Sequence, residues 1–124
     1  MITQRRATGN RGEEKAAEYL IAKRYSIVER NFNTKFGEID IVARNTGGDI
    51  VFVEVKSAKK GGDIAPEENI TFHKLRKFIK AVEMFLLVRK ISSDQKWQMD
   101  SISVLFGGQG GEAEIRHIEN INIH

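Results

Sequence analysis

Residues 50–56, Ile-Val-Phe-Val-Glu-Val-Lys, narrow what this chain can fold into more than any other segment. The run is β-branched and aromatic and is bounded by turn-forming residues: Asn45-Thr-Gly-Gly before it and Lys59-Lys-Gly-Gly after it. Side chains alternate across a strand, so Val51, Val53 and Val55 share one face, and Ile50, Phe52, Glu54 and Lys56 share the other. The valine face demands a core. The second face begins apolar and ends in an anion and a cation at the C-terminal end of the strand.

The rest of the chain supplies the cover. From Asn10 to about Arg24 the spacing of Ala16, Ala17, Leu20 and Ile21 predicts a helix. Residues 25–32 lean towards strand, and residues 37–44, Gly-Glu-Ile-Asp-Ile-Val-Ala-Arg, form a second strand that pairs with 50–56 in a hairpin over 36–57. After a loop through Pro66, a long amphipathic helix is predicted from Thr71 to Lys90. Its stripe is Phe72, Leu75, Phe78, Ile79, Val82, Phe85 and Leu86, with Lys74, Arg76, Lys77 and Lys80 mostly off it. Residues 97–106 read as a fourth strand, Gly107-Gly-Gln-Gly-Gly as a turn, and 112–117 as a candidate further strand. The order α-β-β-β-α-β implies an α/β fold with a mixed central β-sheet flanked by helices, the long helix serving as a right-handed crossover. A chain of 124 residues fits one domain, 1–124.

Several chemistries drop out early. There is no cysteine, which excludes disulfides, thiolate zinc sites and cysteine nucleophiles. The histidines, His73, His117 and His124, lack ligand spacing, and the glycine-rich turn lacks the Lys-Ser/Thr of a phosphate-binding P-loop. No run of about twenty apolar residues could span a membrane, and no apolar stretch follows the N-terminal arginines, so the expectation is cytoplasmic. The net charge is only +3 with a pI near 9.3, yet the cations cluster: Arg5, Arg6 and Arg11; Lys56, Lys59 and Lys60; then Lys74 to Lys80. Such clusters could track a phosphate backbone or form solvated faces.

Taken alone, Glu54-x-Lys56 is most simply an ion pair where a strand leaves the core, contributing little. The joint pattern says more. Strict alternation puts Glu38, Asp40 and Val42 on one face of the second strand, and the hairpin can bring Asp40 close to Glu54 and Lys56. Burying carboxylates together is costly unless a positive charge joins them. A divalent cation such as Mg²⁺ meets that need: it takes a few carboxylate oxygens, keeps waters and accepts phosphate oxygens. A lysine beside it can orient an attacking water or offset charge at phosphorus. Glu13 sits on the inward face of the first helix. It could complete a capping pair with Asn10 as N-cap, or reach the metal, or both. Glu14 and Glu18 point outward, and Asp100 in the fourth strand reads as structural, a partner for loop backbone.

The run Gly12-Glu13-Glu14-Lys15-Ala16-Ala17-Glu18-Tyr19-Leu20, then Asn31, Gly37-Glu38-Ile39-Asp40 and Phe52-Val53-Glu54-Val55-Lys56, resembles the bacterial family UPF0102, also called YraN. That family is similar to the Holliday-junction-resolvase and restriction-endonuclease branch of the PD-(D/E)XK nucleases. The resemblance covers nearly the whole chain and implies a restriction-endonuclease-like core. It implies Asp40 and Glu54 as metal ligands, Lys56 as catalytic lysine, Glu13 as a further acid and metal ligand from the first helix, and Lys74 as the lysine opening the second. It implies Mg²⁺ or Mn²⁺ as cofactor and DNA, branched or junction-like, as partner, with a homodimer in the same branch. Family members often carry arginines where this chain has Asn33 and Ala58, so Lys35 and Lys59, with Lys74 and Arg76, are the expected phosphate contacts. The reading is a Mg²⁺-dependent endonuclease of DNA repair or recombination. The alternative is a nucleic-acid-binding module of the same fold with little or no catalysis.

Overall fold

The run at 50–56 becomes the middle strand of a five-stranded sheet in a computed structural model of the chain, which describes residues 4–59, 71–107 and 112–121. The expected loop through Pro66, the glycines at 108–111 and the tail at 122–124 lie outside the described residues, as do the side chains of residues 4–9. The elements are α1 (Gln4–Ala22), β1 (Ser26–Thr34), β2 (Gly37–Arg44), β3 (Ile50–Lys59), α2 (Phe72–Val88), β4 (Trp97–Phe106) and β5 (Ala113–Ile118). Spatial order follows sequence order, β1-β2-β3-β4-β5. Neighbours are antiparallel except β3 and β4, which run parallel over Ile50↔Trp97 to Lys59↔Phe106 and are joined through α2. This is the expected α/β fold with a mixed sheet flanked by helices, and the further strand at the C-terminal end is present as β5.

Each sheet face carries its own core. Ala16, Ala17 and Leu20 of α1 pack on Ile41, Ala43, Val51, Val53, Ile102 and Val104. Leu75, Phe78, Val82 and Phe85 of α2 pack on Phe32, Ile39, Val42, Ile50 and Phe52. The aromatic rings of that second core meet edge to face, Phe52 with Phe85 at 5.3 Å and Phe32 with Phe85 at 5.0 Å between centroids. β3 serves both: Ile50, Val51, Phe52 and Val53 are all buried, and exposure begins only at Glu54. Thr71 caps α2, its hydroxyl accepting from the Lys74 N–H at 3.1 Å.

Three expectations need correction. α1 begins at Gln4, not near Asn10, so Asn10 lies inside the helix and cannot be the N-cap that pairs with Glu13. The residues before Asn10 carry no apolar period to betray the extra turns, only helix-compatible ones such as Gln4, Arg5, Arg6 and Ala7. Ile21 and Phe72, placed by spacing on the inward stripes, are 58% and 59% exposed, because each sits at the end of its helix where the sheet no longer covers it. Alternation also breaks in β2. Ile39 packs with Val42 on the α2 side, while Ile41 and Ala43 pack on the α1 side, so Asp40 stands where the strand changes faces.

α1 approaches β3 closely because Gly12 has no side chain. A Cβ there would fall 1.8 Å from Ser57 Oγ and 3.1 Å from Ser57 Cβ. Glycine costs a helix interior about 1 kcal/mol relative to alanine, so its place here is explained by packing. Gly12→Ala is expected to destabilise the protein by about 1–3 kcal/mol despite the better helix former, since overpacking forces α1 off the sheet. Adding Ser57→Ala should recover most of that loss, as measured by urea denaturation of the single and double variants.

Candidate metal centre

The site begins with a fork in the sheet. β2 and β3 are paired from Arg44↔Ile50 to Ile41↔Val53 and then separate. On the far side of β2, Arg30 pairs with Ile41 and Phe32 with Ile39; between these pairs Asn31 adopts φ 57°, a left-handed conformation that bends β1. Beyond Ile41 the main chain of β2 no longer reaches β3. The Val55 N–H is instead satisfied by the Asp40 side chain, which accepts it through Oδ2 at 2.7 Å. One carboxylate thus replaces a rung of the ladder and is fixed at the mouth of the fork.

Acids from two other positions close on it. Glu13 from α1, Glu38 and Asp40 offer carboxylate oxygens that all lie within 4.8 Å of one another. With its nitrogen turned to the acids, the Asn31 amide donates to Glu38 Oε1 at 2.5 Å and to Glu13 Oε1 at 2.8 Å. Arg30 reaches Glu13 at 4.0 Å while pairing more closely with Glu14 at 3.0 Å. Asp40 has no cation at ion-pair distance among the described residues. Burial, with the charges of Glu13, Glu38 and Glu54 adding to it, pushes its carboxyl up to about 7 against the lowering effect of the Val55 N–H. Glu13 is raised as well, by burial and by Glu38, with Arg30 and Asn31 opposing. An all-oxygen donor set whose neighbouring charges raise Asp40 and Glu13 fits the chemistry of a hard divalent cation.

Glu54 stands outside the group of three, although its charge is felt at Asp40. It faces Lys56 along β3, with Nζ 3.6 Å from Oε1, and both side chains are largely covered at 24% and 14% exposure. Glu54 and Glu38 also line a small pocket of about 180 Å³ with Phe36, Lys74, Lys77 and Phe78, between the fork and the N-terminal half of α2. Lys74 therefore lines the same pocket as Glu38 and Glu54. Lys35 and Arg76 belong to an adjoining pocket, and Lys59 is exposed at the end of β3 and lines neither.

Residues that single-sequence reasoning undervalued are Glu38 and Asn31. Both stood in the motifs, and Glu38 shared a predicted face with Asp40, but nothing in the spacing shows that Asn31 would bend backwards to hold two acids. Asp100 is structural, as expected. It is fully buried and accepts from the Asn120 N–H at 3.0 Å and from Gln98 at 2.9 Å, while His117 Nε2 lies 2.7 Å from its other oxygen. His117 in turn meets the Tyr19 hydroxyl at 3.1 Å, which ties β5 to α1.

These features define an α/β protein with a five-stranded mixed sheet flanked by helices and an acidic cluster set in the fork of that sheet. The chain belongs to the family described as "Uncharacterised protein family UPF0102", whose model matches residues 12–104. Among its relatives are UPF0102 proteins of Desulforamulus reducens, 38% identical over 97% of this chain and 98% of the relative, and of Persephonella marina, 45% identical over 90% of each. Among the solved structures similar to it are the EndoMS-dsDNA2 complex (TM-score 0.44, 16% identity) and Pyrococcus furiosus SfsA in complex with Ca²⁺ (TM-score 0.43, 15% identity). The match covers 71% of this chain and 34% of the EndoMS chain, and 92% of this chain and 65% of SfsA. No helix among the described residues is long and apolar enough to cross a membrane.

The raised Asp40 carboxyl makes stability depend on pH with a definite sign. Between its ordinary value of 3.8 and about 7 the folded chain holds a proton that the unfolded chain has released. In metal-free protein this group's contribution is therefore full below about pH 4 and is lost as pH rises towards 7, by roughly 2–4 kcal/mol. Asp40→Asn keeps an acceptor for the Val55 N–H but cannot ionise. It should flatten that slope and stabilise the metal-free protein above pH 7, as read from denaturation midpoints across the range.

Proposed function

We propose that this protein is a divalent-metal-dependent endonuclease that hydrolyses phosphodiester bonds in DNA. The observation that carries the reading is Asp40: a covered carboxylate pressed against Glu13 and Glu38, without a cation, beside the Glu54–Lys56 pair. In this reading Asp40 and Glu54 are the principal ligands, Glu13 is the further acid from α1, and Glu38 shares in holding the ion or its waters. Mg²⁺ or Mn²⁺ bound there would polarise a phosphoryl oxygen and lower the pKa of a bound water.

The chain's own groups have distinct tasks. The Val55 N–H holds Asp40 in one orientation, so the ligand needs no reorganisation when a cation arrives. Asn31 and Arg30 keep Glu13 and Glu38 together. The Lys56 ammonium, on the same strand face as Glu54, is placed to orient a water or to offset charge that builds on phosphorus. Lys74, at the pocket that Glu38 and Glu54 line, is placed to receive the phosphate backbone. Lys35, Arg76 and Lys59 extend the basic surface for further phosphates, each contact being sequence-independent and salt-sensitive. One copy supplies one acidic cluster; a homodimer, as the resemblance implies, would supply one for each strand of a branched duplex. Cytoplasmic DNA repair or recombination is the setting consistent with these properties.

The test uses labelled duplex, flap and four-way-junction DNA in Mg²⁺ or Mn²⁺. Cleavage is expected in the wild type, lost by about 100-fold or more in Asp40→Asn and in Lys56→Ala, with DNA binding retained in both. Salt-sensitive binding without cleavage by the wild type would instead favour a non-catalytic nucleic-acid-binding module.

A further inference from the structure

Next to the acidic fork lies a second pocket of about 450 Å³, of whose walls the cleavage reading uses only Lys35 and Arg76. Its lining includes two aromatic rings, Phe36 and Phe72, and four cations, Lys35, Arg76, Lys77 and Lys80. Phe36 and Lys77 also line the smaller pocket that holds Glu38 and Glu54, so the two adjoin along a path of shared walls.

The construction of this path is unusual for a solubilising face. Phe36 is held at the tip of the β1–β2 turn: the Thr34 hydroxyl accepts from the Phe36 and Gly37 N–H groups at 3.0 and 3.2 Å, and Gly37, at φ 146°, takes a conformation that side chains disfavour. Phe72, the first residue of α2, is 59% exposed where an apolar ring gains nothing from the core. Lys35 and Lys80 lie 5.2 and 5.5 Å from the Phe36 ring centre, and Arg76 lies 5.8 Å from that of Phe72. Elsewhere on the surface Lys15, Arg30 and Arg89 have carboxylate partners. Among the described residues no carboxylate pairs with Lys35, Arg76, Lys77 or Lys80.

An exposed ring and a half-buried one, interleaved with cations that no described carboxylate pairs, match one ligand chemistry well. A single-stranded polynucleotide presents flat bases that stack on aromatic rings and phosphates that the cations neutralise. A duplex offers the phosphates but keeps its bases stacked on each other. An exposed cation over a ring is held more weakly than a stacked base, so the contacts seen here would give way to one. We propose that the Phe36–Phe72 groove binds an unpaired strand and leads it towards the Glu38–Glu54 pocket. This rests on the nucleic-acid reading of the site and narrows it to substrates carrying a single-stranded segment.

Binding would be measured by fluorescence anisotropy in chelator, where no cleavage occurs, with a labelled single-stranded oligodeoxynucleotide, the matching duplex and the RNA of the same sequence. Phe72→Ala is expected to weaken single-strand binding by roughly 5- to 100-fold, to leave duplex binding unchanged and to leave the salt dependence intact. Phe72→Trp should restore it. Lys77→Gln should lower the salt slope on every substrate instead. An equal effect on DNA and RNA, or an effect on one of them, supports the groove and assigns the sugar. Loss on single strand and duplex alike, no loss on either, or no binding of any strand by the wild type overturns the proposal. Thermal melts of Phe72→Ala should match the wild type, because the ring is outside the core. A wild type that binds single strands through Phe72 but never cleaves would sink the nuclease reading and leave the groove standing. Cleavage indifferent to Phe72 would do the reverse.

Discussion

At the fork between β2 and β3, a side chain does what the main chain does elsewhere in the sheet. Asp40 accepts the Val55 N–H after β2 has turned away, so the last rung of the ladder is also the first candidate ligand of the site. The strands below the fork provide the rigidity: β3 is buried on both faces, clamped between Ala16, Ala17 and Leu20 on one side and Phe78, Val82 and Phe85 on the other. Above it, Glu54 and Lys56 emerge from a strand packed on both faces. The positions of Asp40, Glu54 and Lys56 thus follow from one packed strand and one hydrogen bond.

The acidic cluster is costly to the fold. Asn31 and Arg30 relieve Glu13 and Glu38, and Lys56 relieves Glu54, but Asp40 has only a backbone N–H. Burial, with the charges of Glu13, Glu38 and Glu54 adding to it, raises its proton affinity almost to neutrality. A purely structural carboxylate at this point would gain from a cationic neighbour, and the sequence supplies lysines nearby without using one for it. Strain of this kind, concentrated where a cation would remove it, is what a binding site stores and a scaffold avoids. Gly12 belongs to the same account: it sacrifices helix propensity so that α1 can carry Glu13 close to β3.

Much of this was legible in the residues. The order of elements, the boundaries of β4 and the hairpin around Asn45 follow from alternation, apolar runs and turn residues. So does the shared face of Glu54 and Lys56. The helix start was not legible, because Gln4 to Gly9 carry no apolar period. Strict parity failed in β2, where Ile39 joins one core and Ile41 the other, beside the left-handed Asn31 of β1; no local signal announces a left-handed asparagine inside a strand. Phe72 was misplaced for a different reason: helical spacing gives a residue's angle around the axis, not whether the sheet extends far enough to cover it.

The central claim is that the fork holds a divalent cation, and the position of that ion tests it most directly. Crystals grown with Mn²⁺, with anomalous diffraction recorded at the manganese edge, would locate it. The account predicts a peak at the fork, with an Asp40 oxygen and at least one oxygen from Glu13, Glu38 or Glu54 at about 2.0–2.6 Å. Manganese found only at exposed carboxylates such as Glu14 or Glu18, with Asp40 still held by the Val55 N–H alone, would contradict it.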